Sequence, residues 1–160
     1  MPDIITIIQI LWPILGGIIG TWGWFMFFHK KEHRLFNNLK RPIAIVATSD
    51  KPMLHESVLL KRVGFFNVEE PASDGRVTDL LNGKRLVIIG YSPDSQTFKD
   101  AFNSAKQREI PVVVYAGPTR INDSDMSLLQ SYSHHSMCNT PLRLISDVFA
   151  IMSTYPEDKI

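Results

Sequence analysis

The feature that most constrains this chain is the stretch from Ile4 to Phe28, which contains no ionisable side chain. A helix of this length would extend over about 37 Å, which exceeds the roughly 30 Å of a bilayer's hydrocarbon core. A cleaved signal peptide and a buried core helix are the alternatives. The chain starts Met-Pro-Asp, without a basic residue, and the stretch ends in aromatic side chains rather than in a small-residue cleavage site. We therefore predict a single N-terminal transmembrane helix over residues 1–28.

Basic residues follow the apolar stretch closely, and none precedes it. The positive-inside rule then predicts that the rest of the chain lies in the cytoplasm. We expect a single-pass protein of the inner (cytoplasmic) membrane, with residues 29–41 as a basic juxtamembrane linker that contacts anionic lipid headgroups. The basic residues of this linker are Lys30, Lys31, Arg34, Lys40 and Arg41.

Two features of the apolar stretch predict contacts between helices. Gly16 and Gly20 form a small-xxx-small pair that lets two helices approach closely, and the amide of Gln9 would favour a hydrogen-bonding partner on another helix. Glycines are also common in membrane spans, so the pair alone is a weak signal. With that alternative open, we predict a homo-oligomer that associates through this helix in the lipid bilayer.

Apolar runs alternate with amphipathic segments over residues 42–155. Continuous apolar strands separated by helices are typical of a parallel sheet covered on both faces. We predict an α/β fold of the flavodoxin or receiver type, a Rossmann-like, doubly wound, five-stranded parallel sheet with strand order 2-1-3-4-5. Residues 42–155 would form a cytosolic sensor domain, and residues 156–160 a tail. The predicted strands are 43–48, 67–70, 85–90, 111–117 and 135–139, and the predicted helices are 52–63, 75–81, 98–108, 123–132 and 141–153.

Charge and cysteine content exclude several classes of protein. The net charge of +1 gives no global field that would attract nucleic acid, so we expect no DNA partner. The single cysteine, Cys138, excludes an intramolecular disulfide and fits a reducing compartment. His134 and His135 are adjacent, but no cysteine or carboxylate spacing completes a metal site around them. We expect neither a metal nor a cofactor.

The order and spacing of elements over residues 42–153 resemble those of a response-regulator receiver domain. That family carries an acidic pair after the first strand, where this chain offers Asp50 alone, and a phosphate-accepting aspartate at the end of the third strand, where this chain has Gly90 or Tyr91. It also carries a lysine before a late proline, where this chain has Thr140. Aspartyl phosphorylation needs a carboxylate nucleophile and an acidic Mg²⁺ site. The resemblance therefore implies a degenerate receiver.

A second resemblance covers the same residues. The segment IAIVATSDKP, residues 43–52, resembles the first strand and loop of CRISPR-associated Rossmann-fold sensor domains, in which a Thr/Ser-containing loop approaches a cyclic oligoadenylate. Some of those sensors are fused to a transmembrane segment, as predicted here. This resemblance implies a membrane effector of antiviral defence that responds to a cyclic oligoadenylate.

Polar residues and glycines follow four of the predicted strands, where ligands of open α/β sheets bind; Asn139 and Thr140 follow the fifth. Lys51 and Arg120 would meet phosphates, and Tyr91 would stack on a base. Helix caps and turns are the alternative for Ser49, Asp50 and Ser92, and the core is the alternative for Tyr91. The predicted ligand-binding residues are Thr48, Ser49, Asp50, Lys51, Gly90, Tyr91, Ser92, Thr119 and Arg120.

We therefore predict a membrane-anchored sensor-effector that is not an enzyme. Its sensor domain would bind a nucleotide second messenger and, by oligomerising, perturb the membrane or open a pore. The alternative is a membrane-tethered pseudo-receiver adaptor that binds a protein partner and has no phosphorylation chemistry. A third reading, a membrane-anchored nucleotide or NAD hydrolase, would need a carboxylate with a perturbed pKa, for which Asp50 and Asp94 are the candidates. No catalytic residue is assigned.

Overall fold

The computed structural model describes residues 4–73 and 77–154, and the side chains of residues 4–11, 14 and 78 lie outside that description. The chain divides into two compact units, residues 1–37 and residues 38–160. The predicted tail, residues 156–160, lies outside the described residues, as does the start of the predicted helix 75–81.

One long helix, α1, makes up the described part of the first unit. It runs from Ile4 to Leu39 and contains Pro13, and its last two residues belong to the second unit. The apolar stretch and most of the predicted basic linker therefore belong to a single helix. Ring contacts follow its surface at a spacing of four residues, with centroids 5.8 Å apart for Phe25 and His29 and 5.3 Å apart for His29 and His33. These pairs fit the helical rule that residues four apart are neighbours.

Among the residues that the structure describes, no helix is both long enough and apolar enough to cross a membrane. The transmembrane helix and the membrane localisation therefore stay predictions. Gly16 and Gly20 lie in α1, where an added Cβ would meet no described atom within 4 Å. The side chain of Gln9 lies outside the described residues, so the predicted oligomerisation through these residues also stays a prediction.

The second unit is an α/β domain with a five-stranded parallel sheet in the order β2-β1-β3-β4-β5. The predicted fold class and strand order are confirmed. Its elements in chain order are β1 (Pro42–Val46), α2 (Leu54–Arg62), β2 (Asn67–Val68), α3 (Val77–Leu80), β3 (Leu86–Gly90), α4 (Gln96–Gln107), β4 (Val112–Tyr115), α5 (Asp123–Gln130), β5 (His135–Cys138) and α6 (Pro141–Thr154).

Both faces of this sheet are covered, because each central strand sends alternate side chains to opposite sides. In β3, Val87 and Ile89 belong to one core cluster, which also contains Phe98 and Phe102 of α4. Leu86 and Ile88 belong to the other, which also contains Leu60 of α2 together with Leu144 and Val148 of α6. The two described clusters draw only on residues between Leu39 and Met152, so this unit has cores of its own and is expected to fold without the rest of the chain.

Some predicted boundaries differ from the structure for local reasons. Helix α2 begins at Leu54 rather than at residue 52, because Met53 adopts a left-handed backbone conformation with φ of 57°. Strand β4 ends at Tyr115, and Gly117, predicted to lie within it, has φ of 60°. A positive φ breaks the extended path, and glycine adopts it without steric cost.

Candidate functional site at the carboxyl edge of the sheet

The loop after β1 forms a tight turn at the carboxyl edge of the sheet. The backbone N–H groups of Thr48 and Lys51 each donate to the other residue's carbonyl oxygen, both at 3.1 Å. Ser49 and Asp50 occupy the exposed tip between them. Thr48 is 3% exposed, and its Oγ1 has no hydrogen-bond partner among the described residues. A buried hydroxyl is normally hydrogen-bonded, so Thr48 Oγ1 is an exception to this rule among the described residues.

The side chain of Lys51 lies across the carboxyl ends of β3 and β4. A Cβ at Gly90, the last residue of β3, would stand 2.9 Å from the Lys51 Cβ, and a Cβ at Gly117 would contact the Lys51 Nζ. The ammonium lies over the Tyr115 ring, 5.3 Å from its centroid, a distance suited to a cation–π contact. Glycine at positions 90 and 117 therefore leaves the space that Lys51 fills.

The Tyr115 hydroxyl interacts with Glu56, a residue in the first turn of α2. Burial raises the pKa of the Tyr115 hydroxyl, and the negative charge of Glu56 and a hydrogen bond to Glu56 raise it further. The hydroxyl therefore donates to a carboxylate while the ring faces an ammonium. Among the described residues, no carboxylate oxygen lies within 4.0 Å of the Lys51 Nζ, so its positive charge has no ion-pair partner there.

The loops after β1 and β3 are joined by a hydrogen bond that Ser92 Oγ donates to Asp50 Oδ2. Ser92 is buried, and Asp50 is exposed. The next serine, Ser95, caps α4 by accepting from the Phe98 N–H at 3.3 Å. No group of three or more metal-ligating side chains occurs in the part of the chain that the structure describes. Asp50 thus acts as a hydrogen-bond acceptor for Ser92 in a setting without an acidic cluster.

Tyr91 does not join this site, and the base-stacking role predicted for it does not fit its position. The residue is fully buried, and its ring packs edge-on against Phe98 with centroids 5.1 Å apart. Its hydroxyl donates to Asp125 Oδ2 and accepts from the Asn122 N–H, both at 3.1 Å. Burial raises its pKa. The physical reason is strand alternation, since Tyr91 follows Val87 and Ile89 onto the opposite face from Gly90.

Asp125, which the sequence reasoning did not single out, is a buried carboxylate at 1% exposure. Besides Tyr91, its partner is Lys99 of α4, with Nζ 3.8 Å from Oδ1. Asn122 Oδ1 accepts from the Asp125 N–H at 2.8 Å and caps α5. The sequence did carry a signal, because an Asn followed by an acidic residue three positions later is typical of a helix start.

Thr119 and Arg120 line a separate groove of about 600 Å³ between the starts of α5 and α6. Gly117 also lines this groove, and a Cβ added to it would contact the Lys51 Nζ, so the two places are adjacent. Thr140 Oγ1 caps α6 by accepting from the Arg143 N–H at 3.3 Å. Lining side chains that the sequence reasoning had not proposed for the site include Met126, Met137 and Arg143.

The structure thus divides the predicted ligand-binding residues into three groups. Thr48, Lys51 and Gly90 lie together at the switch point between β1 and β3, where Ser49 and Asp50 form the turn and Ser92 binds Asp50. Thr119 and Arg120 line the neighbouring groove. Tyr91 belongs to the core on the other face. The edge presents cations and hydroxyl groups, and β3 ends there in glycine rather than in a carboxylate-bearing residue.

No protein-family model and no curated protein matches the chain. Its fold is similar to the receiver domain of the Francisella response regulator 1452, with a TM-score of 0.54 and 13% identity over 71% of this chain and 97% of that one. A second structure, the Vibrio vulnificus NanR protein complexed with ManNAc-6P, gives a TM-score of 0.38 and 16% identity over 78% of this chain and 49% of that one. The first likeness confirms the receiver-like fold, and the comparisons lend no support to the resemblance to CRISPR-associated sensors.

Proposed function

We propose that this protein is a membrane-tethered pseudo-receiver, an adaptor that binds a protein partner and carries out no phosphotransfer. The observation that carries the proposal is the contact between Lys51 and Gly90. Strand β3 ends in a residue without a side chain, and the space beside it is filled by the stem of Lys51. The position of the phosphate-accepting aspartate therefore has no side chain, and Lys51 covers it. Such a domain has the receiver-like fold but lacks the residue that phosphorylation requires.

Aspartyl phosphorylation needs a carboxylate nucleophile and oxygen ligands for Mg²⁺ at this edge. Asp50 is the one acidic residue of the β1 turn, and it accepts a hydrogen bond from Ser92. The neighbouring cation, Lys51, comes from the loop after β1. These contacts favour a structural role for the edge over a phosphoryl-transfer role.

The tether is supported by the sequence and by the length of α1. The stretch from Ile4 to Phe28 has no ionisable side chain, and the basic residues that follow suit anionic headgroups. The helix continues without interruption to Leu39. A cytoplasmic location for residues 38–154 follows from the charge asymmetry and belongs to this proposal.

A surface for a protein partner is supported by apolar side chains on α2. Leu54 and Val58 are 61% and 53% exposed, and they lie four residues apart on one face of the helix. On α6, which contacts α2 on the same side of the sheet, Leu142 is also exposed. The two exposed apolar side chains on one face of α2 suit contact with an apolar stripe on a partner helix.

The proposal is tested by two measurements on the full chain. Incubation with radiolabelled acetyl phosphate should leave no hydroxylamine-labile label, under conditions in which a competent receiver is labelled.

A photo-crosslinking residue at position 55 of α2 should capture a discrete partner protein in cells, and that product should disappear in Val58→Lys. Gln107→Lys, an exposed change on α4 across the sheet, is the matched control and should keep the product. Stable acyl phosphate, or a product indifferent to Val58→Lys, would overturn the proposal.

A second candidate function is the sensor-effector, in which a nucleotide messenger binds at the carboxyl edge and oligomerisation perturbs the membrane. One observation favours it, namely that the Lys51 ammonium has no carboxylate within 4.0 Å among the described residues. Cross-linking of the full chain in membranes, with and without a cyclic oligoadenylate, would test it. An unchanged distribution of oligomers at saturating ligand would exclude the effector step.

A further inference from the structure

We infer that the carboxyl edge of the sheet binds a phosphate ester, with Lys51 and Arg120 on its phosphate oxygens and the groove between α5 and α6 around its organic body. This site does not depend on the adaptor function; it specifies the residues and the ligand chemistry on which the second candidate function rests. The ligand class is that of a nucleotide, an anionic phosphate joined to a partly apolar group.

The first argument is the state of the Lys51 ammonium. Its stem is packed against Gly90, and its Nζ is fixed over Tyr115 and beside Gly117. An ammonium has three donors, and a ring face satisfies its charge only in part. With no carboxylate close by among the described residues, the remaining donors are available to an anion.

The second argument is the charge around the adjoining groove. Arg120 and Arg143 line it, and Asp123 is the one carboxylate among the described lining residues. Arg143 forms an ion pair with Asp147, with Nε 3.6 Å from Oδ1. Arg120 is therefore the better ligand for an anion. The capped starts of α5 and α6 border the same groove, and the positive end of each helix dipole adds to this potential.

The third argument concerns the organic part of the ligand. The groove has a volume of about 600 Å³, which is far more than a free phosphate ion fills. Met126, Met137 and Ile121 contribute apolar walls, and Asn139 contributes an amide that can donate and accept. A phosphate ester with a planar or apolar body would use both the cations and these walls.

The test is equilibrium binding to the full chain in detergent micelles, with four probes: inorganic phosphate, adenosine monophosphate, a cyclic tetra-adenylate, and micelles doped with an anionic phospholipid. We expect at least one of the two nucleotides to bind more tightly than inorganic phosphate and to weaken as salt rises. Lys51→Met keeps the aliphatic stem over Gly90 and removes the charge. A hydrogen bond to a charged group is worth roughly one to two powers of ten in affinity, so this variant should bind at least about tenfold more weakly.

Arg120→Ala should produce a loss of the same order, and Lys106→Ala should not. Lys106 lies near the end of α4, where it donates to Ser131 at 2.8 Å, and it matches the charge change of the test variants. Circular dichroism and cooperative unfolding of each variant show that it is folded. Failure of the folded wild type to bind either nucleotide would overturn the site, whether or not the anionic phospholipid binds. Equal binding by Lys51→Met would also overturn it.

Discussion

A Cβ atom at position 90 would stand 2.9 Å from the Cβ of Lys51 and 3.1 Å from its carbonyl oxygen. Real Cβ atoms almost never approach another carbon so closely, and the carbonyl belongs to a turn fixed by two backbone hydrogen bonds. Gly90→Ala should therefore overpack this edge and lower the free energy of unfolding by about 1–3 kcal/mol. Urea unfolding of residues 38–160 measures the change, and an unaltered midpoint would contradict the close contact.

A double-mutant cycle separates the side chain of Lys51 from its backbone in this effect. In a Lys51→Gly background the nearest atom is gone, so Gly90→Ala should cost less than it does in the wild type. The Met53 Cγ, at 3.0 Å from the same Cβ position, would then be the remaining side-chain obstacle. If Gly90→Ala costs as much in the Lys51→Gly background as in the wild type, the steric clash is with Met53 and with the carbonyl of residue 51 rather than with the Lys51 side chain.

Loss of the Tyr91 hydroxyl should destabilise the domain more than loss of the Tyr132 hydroxyl. Tyr91→Phe removes a donor to the buried Asp125 carboxylate and an acceptor for the Asn122 N–H. Leaving a buried charged group without its donor costs about 1–3 kcal/mol. Tyr132→Phe removes a donor to the neutral carbonyl of Ile110 at 3.0 Å, and the loss of that hydrogen bond is expected to cost about 0.5–1.5 kcal/mol. Chemical unfolding of both variants tests the order, and equal losses would contradict it.

The order of elements followed from local patterns, and the position of Tyr91 could have followed from the same pattern. Apolar runs and amphipathic segments are encoded within short stretches, so the strands and the order of the sheet were accessible from sequence. Alternation along β3 sends Val87 and Ile89 to one face and Ile88 and Gly90 to the other. Continuing it by one residue places Tyr91 in the core, whereas the ligand hypothesis had extended the loop to include it.

The position of Lys51 had no comparable signal. Its path across Gly90 depends on the turn that brings Thr48 and Lys51 together and on the positive φ of Met53. It also needs a second glycine, Gly117, in the loop after β4. Contacts between residues so far apart in sequence leave no local periodicity, so the sequence could nominate Lys51 as a ligand-binding residue without showing what it packs against.

The domain should lose stability at alkaline pH through Tyr91 and Tyr115. Burial raises the pKa of both hydroxyls, and Glu56 adds to the effect at Tyr115. In the unfolded chain a tyrosine ionises near pH 10. Because the folded state holds these protons more tightly, their contribution is fully present below about pH 10 and is lost as pH rises through the folded-state pKa values.

Thermal unfolding of residues 38–160 between about pH 8 and pH 11 measures this loss. The double variant Tyr91→Phe/Tyr115→Phe is less stable at neutral pH, but its stability should fall less steeply above about pH 10. Lysines titrate in the same range in both proteins, so the difference between the two slopes isolates the tyrosines. Parallel slopes would show that neither hydroxyl is the group that resists ionisation.

Cys138 should be unreactive toward thiol reagents while the domain is folded. It is 4% exposed, and burial, followed by the negative charge of Asp147, raises the pKa of its thiol to about 12. The thiolate is the reactive form, so at about pH 8 the native protein holds far less of it than a free cysteine with a pKa near 8.5 would.

Because Cys138 is the one cysteine in the sequence, labelling by iodoacetamide reports on it alone. Labelling in urea should proceed at the rate of a free thiol, and native labelling should be slower by at least about a hundredfold. The Cys138 Sγ lies 3.6 Å from the Val114 carbonyl oxygen, which implies that β5 is held firmly at this edge of the groove. A native labelling rate close to the rate in urea would mean that the end of β5 opens readily instead.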